Sequence, residues 1–335
     1  MSITWSRRRV LTEGFLSVAA ALSLPSAFGA ERTAPTGSNI TDGSGAVTAD
    51  SALGGRLTTP VRINGHGPFH FLVDTGSERT LIASELAERL TLPHGRKVMV
   101  EGIVRGEPAN LVEIHDLKMG SLVCSRLQVP TLPRSELSAD GYLGLDVLDD
   151  RRVIFDFIAG TLTVTRPRGV FSEFWTRFNT DEVRVPTLGN SGRLRAKDCL
   201  IDGVRAAAFV DTGAQISIIN QALYAALQQR NDGRALPTTQ TLTGVTGGSI
   251  DGTTTMLNMV RLGSMVMTFT TAVAADLPVF KLWGLNEQPA LLIGMDCLRR
   301  CARVSIDYGR KELHFDMASS HLPQPLEAAL PRLMG

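Results

Sequence analysis

Hydrophobic and polar residues alternate along most of this chain with the period of two that a pleated strand imposes, and helical spacing is rare. The segment Arg56-Leu57-Thr58-Thr59-Pro60-Val61-Arg62-Ile63 predicts a strand. Asn64-Gly65 follows as a hairpin signal, since both residue types tolerate the positive φ of a tight turn, and a second apolar strand then runs to Val73. Leu200-Ile201-Asp202-Gly203-Val204 repeats the device with Asp-Gly as the turn. Amphipathic spacing predicts two short helices, over residues 84–90 and 221–228. Two glycine-containing hairpins are expected at 100–106 and 242–248. The predicted class is all-β, mainly strands with short helices.

The pattern is written twice. Residues 68–83 and 205–220 both contain apolar-Val-Asp-Thr-Gly, then a small residue and an apolar pair, placing Asp74 and Asp211 137 residues apart. Met119-Gly120-Ser121-Leu122-Val123 matches Leu262-Gly263-Ser264-Met265-Val266 at an offset of 143. Tyr142-Leu143-Gly144-Leu145-Asp146 matches Leu292-Ile293-Gly294-Met295-Asp296 at 150. Ile154-Phe155-Asp156-Phe157 closes the first unit as Ser305-Ile306-Asp307-Tyr308 closes the second, at 151. Preserved order with a slowly growing offset means a tandem duplication, with small insertions in the second copy, residues 280–289 among them. The copies span 56–167 and 182–317, joined by a linker at 168–181. The aromatics Phe171, Phe174, Trp175 and Phe178 are expected to pack the junction. Residues 31–55 read as a flexible leader and 318–335 as a tail.

Composition narrows the function classes. Residues 1–29 hold three arginines and one glutamate, and the remainder carries 31 basic and 32 acidic residues. That balance gives no reason to expect nucleic acid as a partner. Ser6-Arg7-Arg8-Arg9-Val10-Leu11, an apolar run over 15–24 and small residues at Ala27-Phe28-Gly29 make residues 1–30 a twin-arginine-like export signal. An ordinary secretory signal or an uncleaved anchor is the alternative. Ten apolar residues are too few for a stable spanning helix, which takes about 20, so no membrane insertion is expected once the signal is removed. The destination is then the periplasm, or secretion. The four cysteines Cys124, Cys199, Cys297 and Cys301 allow three disulfide connectivities, and buried free thiols are the preferred reading. The six histidines show no metal-ligand spacing, and neither metal nor cofactor is expected.

One Asp-Thr-Gly triplet is a weak signal, but two, each with a downstream apolar-apolar-Gly, form a strong one. The chain resembles the retropepsin-like aspartic peptidases of bacteria over residues 56–317. The resemblance implies two pseudo-twofold-related acid-protease lobes with an active-site cleft between them, Asp74 and Asp211 forming a catalytic pair. Two carboxylates that close do not both ionise readily, so they share a proton and activate a water against an extended peptide. Gly76 and Gly213 let backbone amides reach the carboxylates. The Thr75 and Thr212 hydroxyls cross to the opposite loop. A hydroxyl after the triplet bonds the neighbouring aspartate in some family members, so the difference between Ser77 and Ala214 is expected to make the carboxylates inequivalent. Gly144 and Gly294 pack beneath the loops, while Asp146, Asp296, Asp156 and Asp307 are expected to be structural. Gly102, Ile103, Gly244 and Val245 fall at the tips of two flaps.

The partner implied is a peptide or protein substrate, and two copies in one chain imply a monomer rather than an intermolecular dimer. The rival reading is a peptide-binding or scaffold protein with the same fold and no turnover.

Overall fold

The computed structural model describes residues 16–18, 45–48, 50–53, 56–165, 182–190, 193–196, 198–230 and 234–317. The arginine motif, the linker aromatics and the tail lie outside the described residues.

Alternation becomes burial almost residue for residue. In the strand Gly106–Met119, Ala109, Leu111, Ile114, Leu117 and Met119 turn inward while Asn110 and Lys118 face water. The Asn64-Gly65 turn adopts φ of 49° and 82°, and Asp202-Gly203 adopts 45° and 81°, so both hairpins use the left-handed conformation that these residue types tolerate. The predicted helices form at Ser84–Arg89 and Gln221–Gln229, the second capped by the Asn220 side chain, which accepts from the Leu223 amide at 2.9 Å.

Each copy builds a barrel-like sheet, and the two follow one plan. In the first lobe the strand His66–Val73 pairs in parallel with Gly141–Leu143, which pairs antiparallel with Leu81–Ala83, itself parallel to Leu122–Leu132. In the second, Ala207–Val210 pairs in parallel with Ala290–Ile293, then Ile218–Ile219 runs antiparallel to that strand and parallel to Met265–Ala274. Arg56–Ile63 closes the first barrel by pairing with both His66–Val73 and Gly106–Met119. The inserted stretch of the second lobe carries the helix Pro278–Leu282, whose Phe280 is buried and contacts Trp283, which in turn lies 5.3 Å from the Phe209 ring.

The closing segments of the two repeats pair with one another. Arg152–Asp156 runs antiparallel to Cys301–Asp307, with Ile154 opposite Ser305, and the pair continues outward through Thr161–Thr165 on one side and Glu312–Met317 and Glu182–Asn190 on the other. One continuous sheet therefore joins the lobes beneath the two Asp-Thr-Gly loops. A short strand Leu16–Val18 also pairs in parallel with Leu242–Gly244. Among the described residues no helix is long and apolar enough to cross a membrane. All four cysteines are buried free thiols, and burial pushes Cys124, Cys199 and Cys297 up to about 12 and Cys301 to about 11.

Candidate active site

Each Asp-Thr-Gly triplet begins where a buried strand ends, and its backbone is pinned to the apolar-Gly segment of the same lobe. The Asp74 amide donates to the Leu143 carbonyl and the Asp211 amide to that of Ile293, both at 3.0 Å. Leu145 and Met295 return the contact, donating to the Ser77 and Ala214 carbonyls at 2.9 Å. The loops then fold back on their own carboxylates. Asp74 Oδ1 accepts from the amides of Gly76 at 2.9 Å and Ser77 at 3.1 Å. Asp211 Oδ1 accepts from Gly213 at 2.9 Å and Ala214 at 3.2 Å. Both aspartates are almost wholly buried, so these amides take over solvation that water no longer supplies.

The two loops abut. A Cβ at Gly76 would stand 2.8 Å from the Asp211 carboxylate carbon, closer than real contacts allow, so only glycine lets the first loop approach the second aspartate. The threonines lock this approach. Thr212 Oγ1 accepts from the Thr75 amide at 3.1 Å and donates to the Val73 carbonyl at 2.7 Å. Thr75 Oγ1 accepts from the Thr212 amide at 3.1 Å and donates to the Val210 carbonyl at 3.2 Å.

One expectation is corrected. The Ser77 hydroxyl does not bond Asp74; it donates to the Arg79 carbonyl at 2.6 Å, because the chain turns toward Thr80 and presents that carbonyl to it. Of the two Ser77 donors it is the amide that serves the carboxylate, as the Ala214 amide does on the other side, so the Ser/Ala difference adds no hydroxyl bond to Asp74.

Beneath the loops lies support that the motifs alone did not reveal. The Thr80 hydroxyl donates to Asp146 Oδ1 at 2.7 Å and accepts from the Gly144 amide at 3.1 Å. Ser217 repeats both bonds, to Asp296 Oδ1 at 2.7 Å and from Gly294 at 3.0 Å. The signal was present, since Thr80 and Ser217 each follow their aspartate by six residues and both carry a hydroxyl. Burial holds both Asp146 and Asp296 above the usual carboxylate range, opposed by the bonds from Thr80 and Ser217. Gly144 and Gly294 are required by contact: a Cβ would strike the Arg79 backbone in one lobe and stand 2.5 Å from the Ile216 carbonyl carbon in the other. Asp156 and Asp307 cap turns, accepting from the Ala159 and Arg310 amides at 2.8 Å.

The hairpin tips meet each other. Arg105 Nε donates to the Thr246 carbonyl at 2.8 Å and the Thr246 hydroxyl donates to the Arg105 carbonyl at 2.7 Å. Between these bonds Ile103 and Val245 are buried, and Gly102 sits so close to the Thr246 hydroxyl that a side chain there would collide with it. Gly244 closes the second tip, bonding with Gly247 and Gly248. Arg105 also pairs with Glu107 at 3.4 Å. Glu136 stands near the latch, its carboxyl pushed up by burial and by Glu107, with Arg105 opposing. The repeat sets Gly247 opposite Arg105 and Val104 opposite Thr246, so neither latch residue is duplicated in type.

The aspartyl protease family model matches the chain twice, over residues 59–147 and 198–297, and each match takes in one Asp-Thr-Gly triplet and one apolar-Gly segment. No curated protein matches the sequence.

Proposed function

The chain belongs to the aspartyl protease family, and from that premise we propose that it is an endopeptidase in which Asp74 and Asp211 together activate a water molecule. The observation that carries this reading is the equivalence of the two carboxylates: each takes two amides of its own loop on Oδ1, and the loops are close enough that a Cβ at Gly76 would touch Asp211. Such a pair, buried and rigid, holds one proton between two oxygens more readily than it holds two charges.

In the reaction the ionised carboxylate takes a proton from water as the oxygen attacks the scissile carbonyl carbon. The protonated partner donates to the carbonyl oxygen, giving a neutral tetrahedral diol. Collapse then transfers a proton to the leaving nitrogen, breaks the C–N bond and restores the shared proton. The loop amides and the crossed threonines contribute preorganisation, since groups already oriented need not reorganise in the transition state. Substrate lies extended under the two hairpin tips, which separate to admit it and then exclude water.

The protein acts as a single chain, exported through its N-terminal segment to the periplasm, a reading that rests on Arg7-Arg8-Arg9 and the apolar run after them. The test is incubation of the purified protein with a diverse peptide mixture from pH 3 to pH 8, beside Asp74→Asn and Asp211→Asn. Cleavage lost in both variants is expected. A folded protein silent at every pH would overturn the peptidase reading in favour of a peptide-binding protein without turnover.

A further inference from the structure

The carboxylates have matched amides, yet the floor below them is not symmetric. Tyr308 ends the fourth repeat motif, where the first lobe has Phe157. Phe157 is half-buried and stacks on Phe155, ring centres 6.3 Å apart. Tyr308 is 5% exposed, and its amide is tied to the Arg151 carbonyl at 2.9 Å. Its hydroxyl is enclosed and faces the Thr75 hydroxyl, with the carboxylates of Asp74, Asp149 and Asp211 the acidic groups around it. Among the described residues no partner meets it in hydrogen-bond geometry.

The crossed bonds are unequal on the same side. Thr212 reaches its carbonyl at 2.7 Å, whereas Thr75, the threonine that Tyr308 faces, reaches its own at 3.2 Å. Thr75 Oγ1 commits its proton to Val210 and one lone pair to the Thr212 amide. Thr212 Oγ1 also lies 3.3 Å from Thr75 Oγ1, but its single proton goes to the Val73 carbonyl at 2.7 Å, so the second lone pair of Thr75 is only weakly engaged and can take a better donor. Tyr308 is the buried donor that faces it. A buried hydroxyl left without a bond is costly, so a small approach of the ring satisfies both groups at once.

We infer that Tyr308 is a positioning residue of the aspartate pair, acting through the Thr75 hydroxyl and on the Asp74 side alone. The inference rests on the peptidase reading above. The phenol stays neutral, because burial and the surrounding carboxylates push its pKa up. Donation to Thr75 strengthens the bond from Thr75 to Val210, since hydrogen bonds in a chain polarise one another. The positive end of the O–H dipole then lies beneath the Asp74 loop, favouring charge on Asp74 and the shared proton on Asp211. The inequivalence expected from Ser77 thus arises from the floor of the site.

Tyr308→Phe removes the hydroxyl and keeps the ring. Losing one buried hydrogen bond in this network predicts a kcat about three- to tenfold lower, with KM within about twofold of wild type. The acidic limb of the kcat profile moves up by about half a pH unit, since the anionic form loses a favourable dipole. The pH dependence of the melting temperature shifts in the same direction, and this readout needs no turnover. A uniform loss of melting temperature with unchanged pH profiles means a merely structural tyrosine and overturns the inference, as do coincident curves. If wild type cleaves nothing while the melting profile still shifts, the peptidase reading fails and the coupling of Tyr308 to the pair stands.

Discussion

Replacing Thr212 by valine removes a hydroxyl and almost nothing else, yet that hydroxyl joins the lobes twice. It accepts the Thr75 amide at 3.1 Å and donates to the Val73 carbonyl at 2.7 Å. Thr75 and Val73 are 3% and 2% exposed, so water cannot take the vacated places. Each stranded group costs about 1–3 kcal/mol, or about 2–6 kcal/mol for the two. That is a large share of the roughly 5–15 kcal/mol that holds a protein folded. In a chain of this size about 2–4 °C of melting temperature goes with each kcal/mol, so the midpoint falls by about 4–24 °C. Thr75→Val, which loses the longer carbonyl bond, falls by less. Because the two hydroxyls serve each other's loops, the double variant costs less than the sum of the singles, by about 0.5–3 kcal/mol. Scanning calorimetry of the four proteins measures all of this. A Thr212→Val midpoint within about 2 °C of wild type, or strict additivity, would refute the lock between the loops.

Other outcomes follow from the same geometry. Gly76→Ala forces a methyl against the Asp211 carboxylate, so peptide cleavage falls by about 100-fold or more while the protein stays folded, and near-normal turnover would contradict the close approach. Arg105→Ala breaks a bond between the two hairpin tips, so amide exchange over 100–106 and 242–248 accelerates together by about tenfold; acceleration in only one hairpin would show that they are not latched. Burial raises Asp146, so the folded protein holds a proton that the unfolded chain releases, and the stability tied to this group is present below 3.8 and lost as pH rises above it. Asp146→Asn keeps the acceptor for Thr80, so melting temperatures should match wild type near pH 3 and exceed it at neutral pH; a larger loss with rising pH than in wild type would contradict this.

What could be read from the chain alone divides along a physical line. The Asp-Thr-Gly loops were legible because duplication doubles a short motif, and because glycine at 76 and 144 answers a local steric demand that leaves no choice of residue. Turns at Asn64-Gly65 and Asp202-Gly203 were legible for the same reason, being set by φ. The sheet joining Arg152–Asp156 to Cys301–Asp307 was not, although the repeat marked both segments, since period-two alternation gives a strand its faces but does not name its neighbour. The Ser77 hydroxyl was misread because its choice between Asp74 and the Arg79 carbonyl depends on the path of the following backbone. The latch between Arg105 and Thr246 left no trace either, for it joins side chains of two different hairpins whose residue types the repeat does not duplicate.

The central claim is that one chain supplies both aspartates of a single pair, and mixing the two half-disabled variants tests it. Asp74→Asn and Asp211→Asn are assayed for peptide cleavage separately and as an equimolar mixture, beside wild type. The account predicts that wild type cleaves, that neither variant does, and that mixing restores nothing, because each pair is closed within its own chain. Cleavage regained on mixing would place the pair between chains, and cleavage retained by either variant alone would remove that aspartate from the chemistry.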